Sequence, residues 1–364
     1  MEEKYTEKIY FKLHQIPEIS LHEDKTSSFI SEELKKIGYK VETVKGCLGL
    51  IAILDSQKPG PVLGVRADID ALPFSVNGKS VTIHACGHDA NSSIVLGVAK
   101  YFIETGIRKG KLIFIFQPAE ETLEGAKLMV EHDKLKDLEE LIGIHLVSKS
   151  KLKLGEATAA VHHAATNRLR VTIRGKAAHS AYPHNGVNTI EAAVLAINSI
   201  NSIKMDPTIS HSIKVTKILS KNDAHNIIPD ETEMVLDLRA QKNTTMKEMS
   251  IKVLEAVEHS VASIGSKVTF DEISSVPAAE YDNDMINQGE NIIREVLGKV
   301  TRPIIIPGSE DFHIFTIERK LKSAYFGIGC DMINELHQPD MTFDLKALEI
   351  GRELMIKFIR KRVS

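Results

Sequence analysis

Three continuous apolar runs constrain the fold of this chain most: KLIFIF at 111–116, LIGIH at 141–145 and SAYFGIG at 323–329. A strand without polar alternation is buried on both faces, and sheets covered on both faces are mainly parallel ones with crossover helices. Helical patterns surround these runs. A first helix carries Phe11 and Leu13 ahead of Pro17, and a second, from about Asp24 to Ile37, puts Phe29, Ile30, Leu34 and Ile37 on one face before Gly38. A third starts after Asp89 with Ile94, Leu96, Val98 and Phe102, and a last one runs from about Leu345 to Ile359. Shorter β-type runs, YKVETV, LGLIAIL and VLGVR, lie between the second and third helices. Strands alternating with helices predict an α/β sheet.

The middle of the chain changes character. NRLRVTIRG alternates polar and apolar residues as a half-exposed strand does, and a helix follows near Val187–Ser202. HSIKVTKIL and ETEMVLDLRAQ read as strands, then a helix near Thr245–Ser263, then the strand KVTFDEI. This β-α-β-β-α-β order is a split βαβ sandwich. The flanking segments both carry the α/β pattern, so residues 166–277 are expected as an inserted domain within a domain formed by 1–165 and 278–364. A chain of 364 residues also exceeds what one core usually supports. The alternative is one large sheet.

Bulk properties exclude several classes. A net charge of −3 gives no electrostatic footprint for nucleic acid. Arg360, Lys361 and Arg362 at the C-terminus suit the negative end of a helix dipole. No run reaches the length of a membrane span, and the charged N-terminal stretch MEEKYTEKIYFKLHQ lacks an apolar signal core. Cys47, Cys86 and Cys330 are too few and scattered for a disulfide framework, which points to a reducing, cytoplasmic setting.

Ligand-type residues gather at the ends of the predicted strands. His84-Ala85-Cys86-Gly87-His88-Asp89 places a thiol and an imidazole two residues apart, natural ligands for Zn²⁺ and similar ions, with Asp89 able to orient one of them. Asp68 and Asp70 end the VLGVR strand, on the rim where open α/β sheets bind ligands. Gln117-Pro118-Ala119-Glu120-Glu121 follows KLIFIF directly, and successive side chains of an extended segment point in different directions. One glutamate could ligate a metal while its neighbour serves as a base. His145 ends LIGIH, and Gly308-Ser309-Glu310-Asp311-Phe312 and Leu336-His337-Gln338-Pro339 follow later. Singly, each reads equally well as a satisfied structural residue or a solvated turn. Their convergence on one rim is what points to a site.

The segments LHQIPEISLHEDKTSSFI, VRADIDALP, HACGHD, IFQPAEE, GIHL, GKAAHSAYPH, NIIPDETEM, GSEDF and LHQP occur in this order over nearly the whole chain. Together they resemble the hippurate hydrolase and aminoacylase family of di-metal peptidases, which includes indoleacetyl-amino-acid hydrolases and N-acetyldiaminopimelate deacetylases. The resemblance implies a metal-dependent peptidase-like domain with a mixed sheet flanked by helices, plus an inserted α+β lid or dimerisation domain and hence a homodimer or higher homo-oligomer. It implies two divalent ions, Zn or Mn, held by Cys86, His88, Glu121, His145 and His337, with Glu120 as general base. Asp70 and Asp68 would orient a ligand, and His179 of GKAAHSAYPH would polarise the scissile carbonyl, from the same or a partner subunit. Asn226 and Arg239, on the predicted lid strands, are candidates to bind a substrate carboxylate, Arg by its bidentate fork.

The expected activity is hydrolysis of the amide bond of N-acyl amino acids. A dipeptidase or aminopeptidase on the same site, and a non-catalytic metal scaffold, are the alternatives. The chain departs from the family pattern in three places. FSVNGKSVTI is a short link between DALP and HACGHD, Ala90-Asn91-Ser92 follows HACGHD where a Gly-His-Thr type run is usual, and His162 and His163 stand where small or apolar residues are usual. These changes are expected to bear on substrate preference and to leave the metal site intact.

Overall fold

The computed structural model describes residues 4–222 and 224–364, so the first three residues of the charged N-terminus lie outside the described part. The elements used below, in chain order, begin with α1 Tyr5–His14, α2 Asp24–Ile37, β1 Val41–Thr43, β2 Leu50–Asp55 and β3 Val62–Asp68. Next come β4 Leu72–Val76, β5 Lys79–Ile83, α3 His88–Thr105, β6 Lys111–Gln117, β7 Glu140–Val147 and β8 Ala157–Thr158. The middle holds β9 Ala165–Arg174, β10 Ala178–His179, α4 Thr189–Asn201, β11 His211–Ser220, β12 Ile227–Ile228, β13 Glu231–Ala240, α5 Asn243–Ala262 and β14 Lys267–Val276. The chain closes with α6 Asn283–Leu297, β15 Lys322–Gly329 and α7 Lys346–Val363.

The chain forms two compact units. The first comprises Met1–His162, Glu280–Ile305 and Glu310–Ser364, and the second His163–Ala279 with Ile306–Ser309. The late return of Ile306–Ser309 has no sign in the sequence pattern. Its anchor is a backbone bond, Ala164 N–H to the Gly308 carbonyl.

The first unit is α/β, with a seven-stranded mixed sheet in the order β1-β2-β6-β3-β7-β15-β8. The four central strands β6, β3, β7 and β15 are parallel, and β2 and β8 pair antiparallel at the flanks. The three apolar runs are β6, β7 and β15, whose residues are buried except at the first position of β6 and β15. Helix α3 sits against β3 and shares the core with α1 and α7. Residues 88–99 of it are buried all round, so the helix lacks the solvent-facing polar stripe of a surface helix. Helix α2 ends as expected at Gly38, a left-handed residue whose N–H bonds the carbonyls of Leu34 and Lys35.

The FSVNGKSVTI link is a hairpin. β4 and β5 pair from Leu72↔Ile83 to Val76↔Lys79, and Asn77 and Gly78 turn with φ of 52° and 74°. A two-residue loop with both central φ positive is the turn that Asn-Gly favours.

The second unit is a four-stranded antiparallel sheet in the order β11-β13-β9-β14, covered by α4 and α5. Leu169, Val171, Ile173, Met234, Leu236 and Leu238 face the helices and make its core with Ala196, Met249, Val253 and Val257. The other face is laced with charge pairs, Arg168 with Asp237, Arg170 with Glu233 and Arg174 with Glu231. No helix among the described residues is long and apolar enough to cross a membrane.

Candidate metal centre

The carboxyl ends of the parallel strands bring the ligand-type residues of the first unit together. Asp68 closes β3, and the chain turns there because Ile69 N–H bonds the Gln117 carbonyl at the end of β6. Cys86 follows β5 in a loop, and His88 opens α3. The extended HACGHD segment expected from the sequence is bent between them, because Gly87 takes φ 84°, a left-handed conformation in which a side chain would be strained. Cys86 and His88 converge across that bend, one from the loop and one from the first residue of the helix. Asp89 turns away from the ligands. It caps Ala90 N–H and accepts from His14 Nδ1 at 2.7 Å, so the orienting role expected for it falls to Asp70.

Asp70 is fully buried and serves three neighbours. Its Oδ1 lies 2.9 Å from His88 Nδ1, and its Oδ2 accepts from Ser20 Oγ at 2.7 Å and from Glu121 N–H at 3.0 Å. A carboxylate only accepts, so His88 Nδ1 carries a proton, and Nε2 is the ring atom left to face the ligand set. His145 is set likewise: Nδ1 donates to the Leu146 carbonyl at 2.7 Å, and Nε2 lies 3.6 Å from Cys86 Sγ. Glu121 Oε1 is 3.9 Å from His88 Nε2, and its Oε2 is 3.6 Å from Nε2 of the exposed His337. His337 is held at φ 66° with its N–H on the Ala85 carbonyl.

Four three-residue groups result among the described residues, each with ligand atoms within 4.8 Å of one another: Cys86 with His88 and His145, Cys86 with Glu121 and His337, His88 with Glu120 and Glu121, and Glu120 with Glu310 and Asp311. His88 Nε2 and Glu121 Oε1 are buried and have no hydrogen-bond partner among the described residues. Leaving such atoms unsatisfied is costly, and a cation would satisfy both. Burial pushes the Cys86 thiol well above its ordinary pKa, with the Glu121 charge adding to it. Burial likewise raises Glu121, to about 7, against the pull of His88. Divalent cations reverse both effects, and thiolate, imidazole and carboxylate together suit borderline ions. The residues present fit a pair of cations.

Glu120 lies behind this set. Its Oε2 is 3.9 Å from His88 Nε2, and its carboxylate stands within 4.8 Å of those of Glu310 and Asp311. Burial, then the charges of Glu310, Glu121 and Asp311, raise its pKa well above the usual carboxyl range.

Several supporting residues went unread in the sequence. Arg66, 1% exposed in the middle of β3, bonds Asp68 at 2.6 Å, Asp311 at 2.8 Å and Glu310 at 3.0 Å, and its Nε donates to Gln117 at 2.9 Å. Tyr325 OH donates to Glu310 at 2.6 Å. An arginine inside an apolar strand is the signal that could have found this network, since a buried charge needs partners. Asn91 and Ser92 bond the Asp68 carboxylate and carbonyl at 2.8 and 2.6 Å. The unusual run after HACGHD therefore supports the site from behind.

Glu23 is the other unread residue. It is fully buried, and its Oε1 accepts from Leu21 N–H at 3.1 Å and from Ala119 N–H at 2.8 Å. Burial pushes its carboxyl up to about 7. A carboxyl whose folded pKa exceeds its unfolded one contributes stability that is present below the unfolded value and lost as pH rises through the folded one. We expect Glu23→Gln to remove on the order of 1–3 kcal/mol of this decline between about pH 4.5 and 7. Urea unfolding of the metal-free protein and variant at pH 4.5 and 8 checks it, and parallel stability–pH curves would refute it.

In the second unit, His179 and Asn226 lie side by side, because β10 pairs with β12 and Ser180 N–H bonds the Asn226 carbonyl at 3.0 Å. His179 is exposed, and its Nδ1 accepts from Ala181 N–H. Arg239 is on β13, and its guanidinium is engaged by Asp237, at 2.8 Å from Nε, and by the Pro307 carbonyl.

Residues 64–361 match the family described as Peptidase family M20/M25/M40. The chain belongs to that family. The hydrolase class expected from the motifs follows. An IAA-amino acid hydrolase of Arabidopsis thaliana is 32% identical, over 85% of this chain and 73% of its own length. An N-acetylcysteine deacetylase of Bacillus subtilis is 27% identical, over 94% of this chain and 92% of its own. A Bacillus subtilis dinuclear metal-binding peptidase of the M20 family shares the fold at TM-score 0.82 and 24% identity, covering 98% of this chain and 97% of that one. The mixed-sheet M20 fold is thus the fold expected from the sequence.

Proposed function

We propose that this M20 family member is a two-metal amidohydrolase that cleaves the acyl–nitrogen bond of N-acyl amino acids. One observation carries the reading: two ligand groups share Cys86, and a further buried carboxylate, Glu120, adjoins them at His88 and Glu121 without sharing Cys86. Cys86, His88, Glu121, His145 and His337 hold the metals, and Asp70 and Asp68 orient the ligands. The thiolate favours Zn²⁺, and Mn²⁺ is the second candidate. Bound there, two cations lower the pKa of a water and polarise the scissile carbonyl.

Glu120 takes the proton of the attacking water and returns it to the leaving nitrogen. His179 and Asn226 act on the substrate carbonyl and carboxylate, and Arg239 is the weaker candidate for the carboxylate because Asp237 already engages it. The N-acyl amino acid substrate class is supported by the activities for which the Arabidopsis and Bacillus relatives are named. A cytoplasmic setting suits a ligand thiol that must stay reduced, and the inserted unit is the proposed dimerisation element.

The test compares an N-acetyl amino acid with an unblocked dipeptide under Zn²⁺ and under Mn²⁺. We expect the N-acetyl substrate to be preferred and Cys86→Ala to lose bound metal by elemental analysis. Turnover confined to unblocked amines would replace this reading with an aminopeptidase.

A further inference from the structure

We propose that Glu23 is a positioning residue that pins the backbone of Ala119 and thereby aims Glu120 and Glu121. Glu23 touches neither carboxylate. It reaches Ala119 from a point 96 residues earlier in the chain. Both N–H groups that its Oε1 binds belong to residues in the left-handed region, Leu21 at φ 67° and Ala119 at φ 54°. Neither is glycine, so each is held in a conformation that its side chain disfavours. One buried oxygen therefore restrains two strained residues at once.

The turn that Ala119 begins is tight. The Ala119 carbonyl accepts from Glu124 and Gly125 N–H, and Glu120 O accepts from Leu123 N–H at 2.7 Å. Gly125 is required there, since a Cβ on it would sit 1.6 Å from the Pro118 carbonyl oxygen. A rotation at Ala119 would swing both following carboxylates.

The same N-terminal segment has two further grips on the site. Ser20 Oγ donates to Asp70, which in turn accepts from Glu121 N–H, and the Glu18 carbonyl accepts from Ala71 N–H. Residues 18–23 thus hold the loop of the proposed base and ligand from two sides. Glu23 Oε2 is buried and has no hydrogen-bond partner among the described residues. A lone packing role would favour an apolar side chain there, and what an apolar side chain lacks is the acceptor for Ala119.

The proposal rests on reading Glu120 as the base and Glu121 as a ligand, and the experiment separates the two ideas. Hydrogen exchange of a peptide covering residues 117–124 is measured on metal-free protein, together with kcat and KM of the metal-loaded enzyme on an N-acetyl amino acid. Glu23→Ala and Glu23→Asp, which lacks the reach, are expected to speed exchange in that peptide. They should lower kcat about tenfold or more, because small misplacements of catalytic groups are costly. KM should stay within about twofold, since substrate binding is not the target. Glu23→Gln keeps the acceptor and should exchange as wild type does.

Ala119→Gly in the Glu23→Ala background should recover about threefold or more of kcat, because glycine takes φ 54° without strain. That rescue is one that a general packing defect would not show. Wild-type exchange in Glu23→Asp, or no recovery in the double variant, would overturn the proposal. Should Glu23→Ala fail to fold, Glu23→Asp and Glu23→Gln decide by exchange alone. An active Glu120→Gln enzyme would refute the base assignment and leave the exchange result standing.

Discussion

Glu120→Gln is expected to lower kcat by about 10³-fold or more while the protein keeps its full metal content. The side chain is nearly isosteric, so the packing of this buried position survives, but an amide cannot take a proton from water. Glu120 is in neither of the two groups that share Cys86; it meets His88 and Glu121 in a third, and as base and not ligand there its loss should leave the wild-type metal content in elemental analysis. Glu121→Gln is the contrasting variant, since it weakens a ligand that faces both His88 and His337. It should lose metal together with activity, and excess metal should restore part of its turnover. Glu120→Gln should not respond to added metal. Its folded state should be unharmed or slightly more stable, because one of several like charges crowding Glu310 and Asp311 is removed. Retained turnover would remove Glu120 from the chemistry, and lost metal would make it a ligand.

The parts of this molecule that were legible in the sequence are those written locally. The apolar runs of β6, β7 and β15 declare a sheet buried on both faces, and their carboxyl ends mark where Glu120, Glu121 and His145 must emerge. The alternation in β9 and β13 and the helices between declare the second unit. Even the β4–β5 hairpin was writable from Asn77-Gly78 flanked by alternating residues, although as a sequence it reads only as a shortened link. The illegible parts depend on partners distant in sequence. Arg66 is explained by Asp311, 245 residues later, and Glu23 by Ala119. No periodicity encodes such pairs, because the topology of the sheet brings them together. The bend of HACGHD was missed for a smaller reason. Gly87 reads as part of an extended ligand segment until α3 is seen to start directly after it.

Arg66→Met is expected to cost about 4 kcal/mol or more of stability, a large share of what a domain possesses. The guanidinium carries ion pairs to Asp68, Glu310 and Asp311 at once, and all four groups are almost wholly out of solvent. Methionine fills the volume and leaves three carboxylates facing one another without a cation. Breaking one buried pair already costs about 3–5 kcal/mol, mostly as the penalty of the charge left behind. The orphaned carboxylates would bind protons more tightly than in the unfolded chain, so the deficit should shrink at acidic pH and grow as pH rises. Arg66→Lys should fall between, because an ammonium keeps the charge but loses the planar fork that spans Asp68 and Asp311. Asp311→Asn in the Arg66→Met background should return part of the loss by deleting one uncompensated charge, and that recovery would separate electrostatics from packing. Urea unfolding of the four proteins at pH 5.5 and 8 measures all of this. A loss below about 1 kcal/mol for Arg66→Met would mean that the carboxylates are neutralised without the arginine. The cluster beside Glu120 would then be a proton store and not a salt-bridged scaffold.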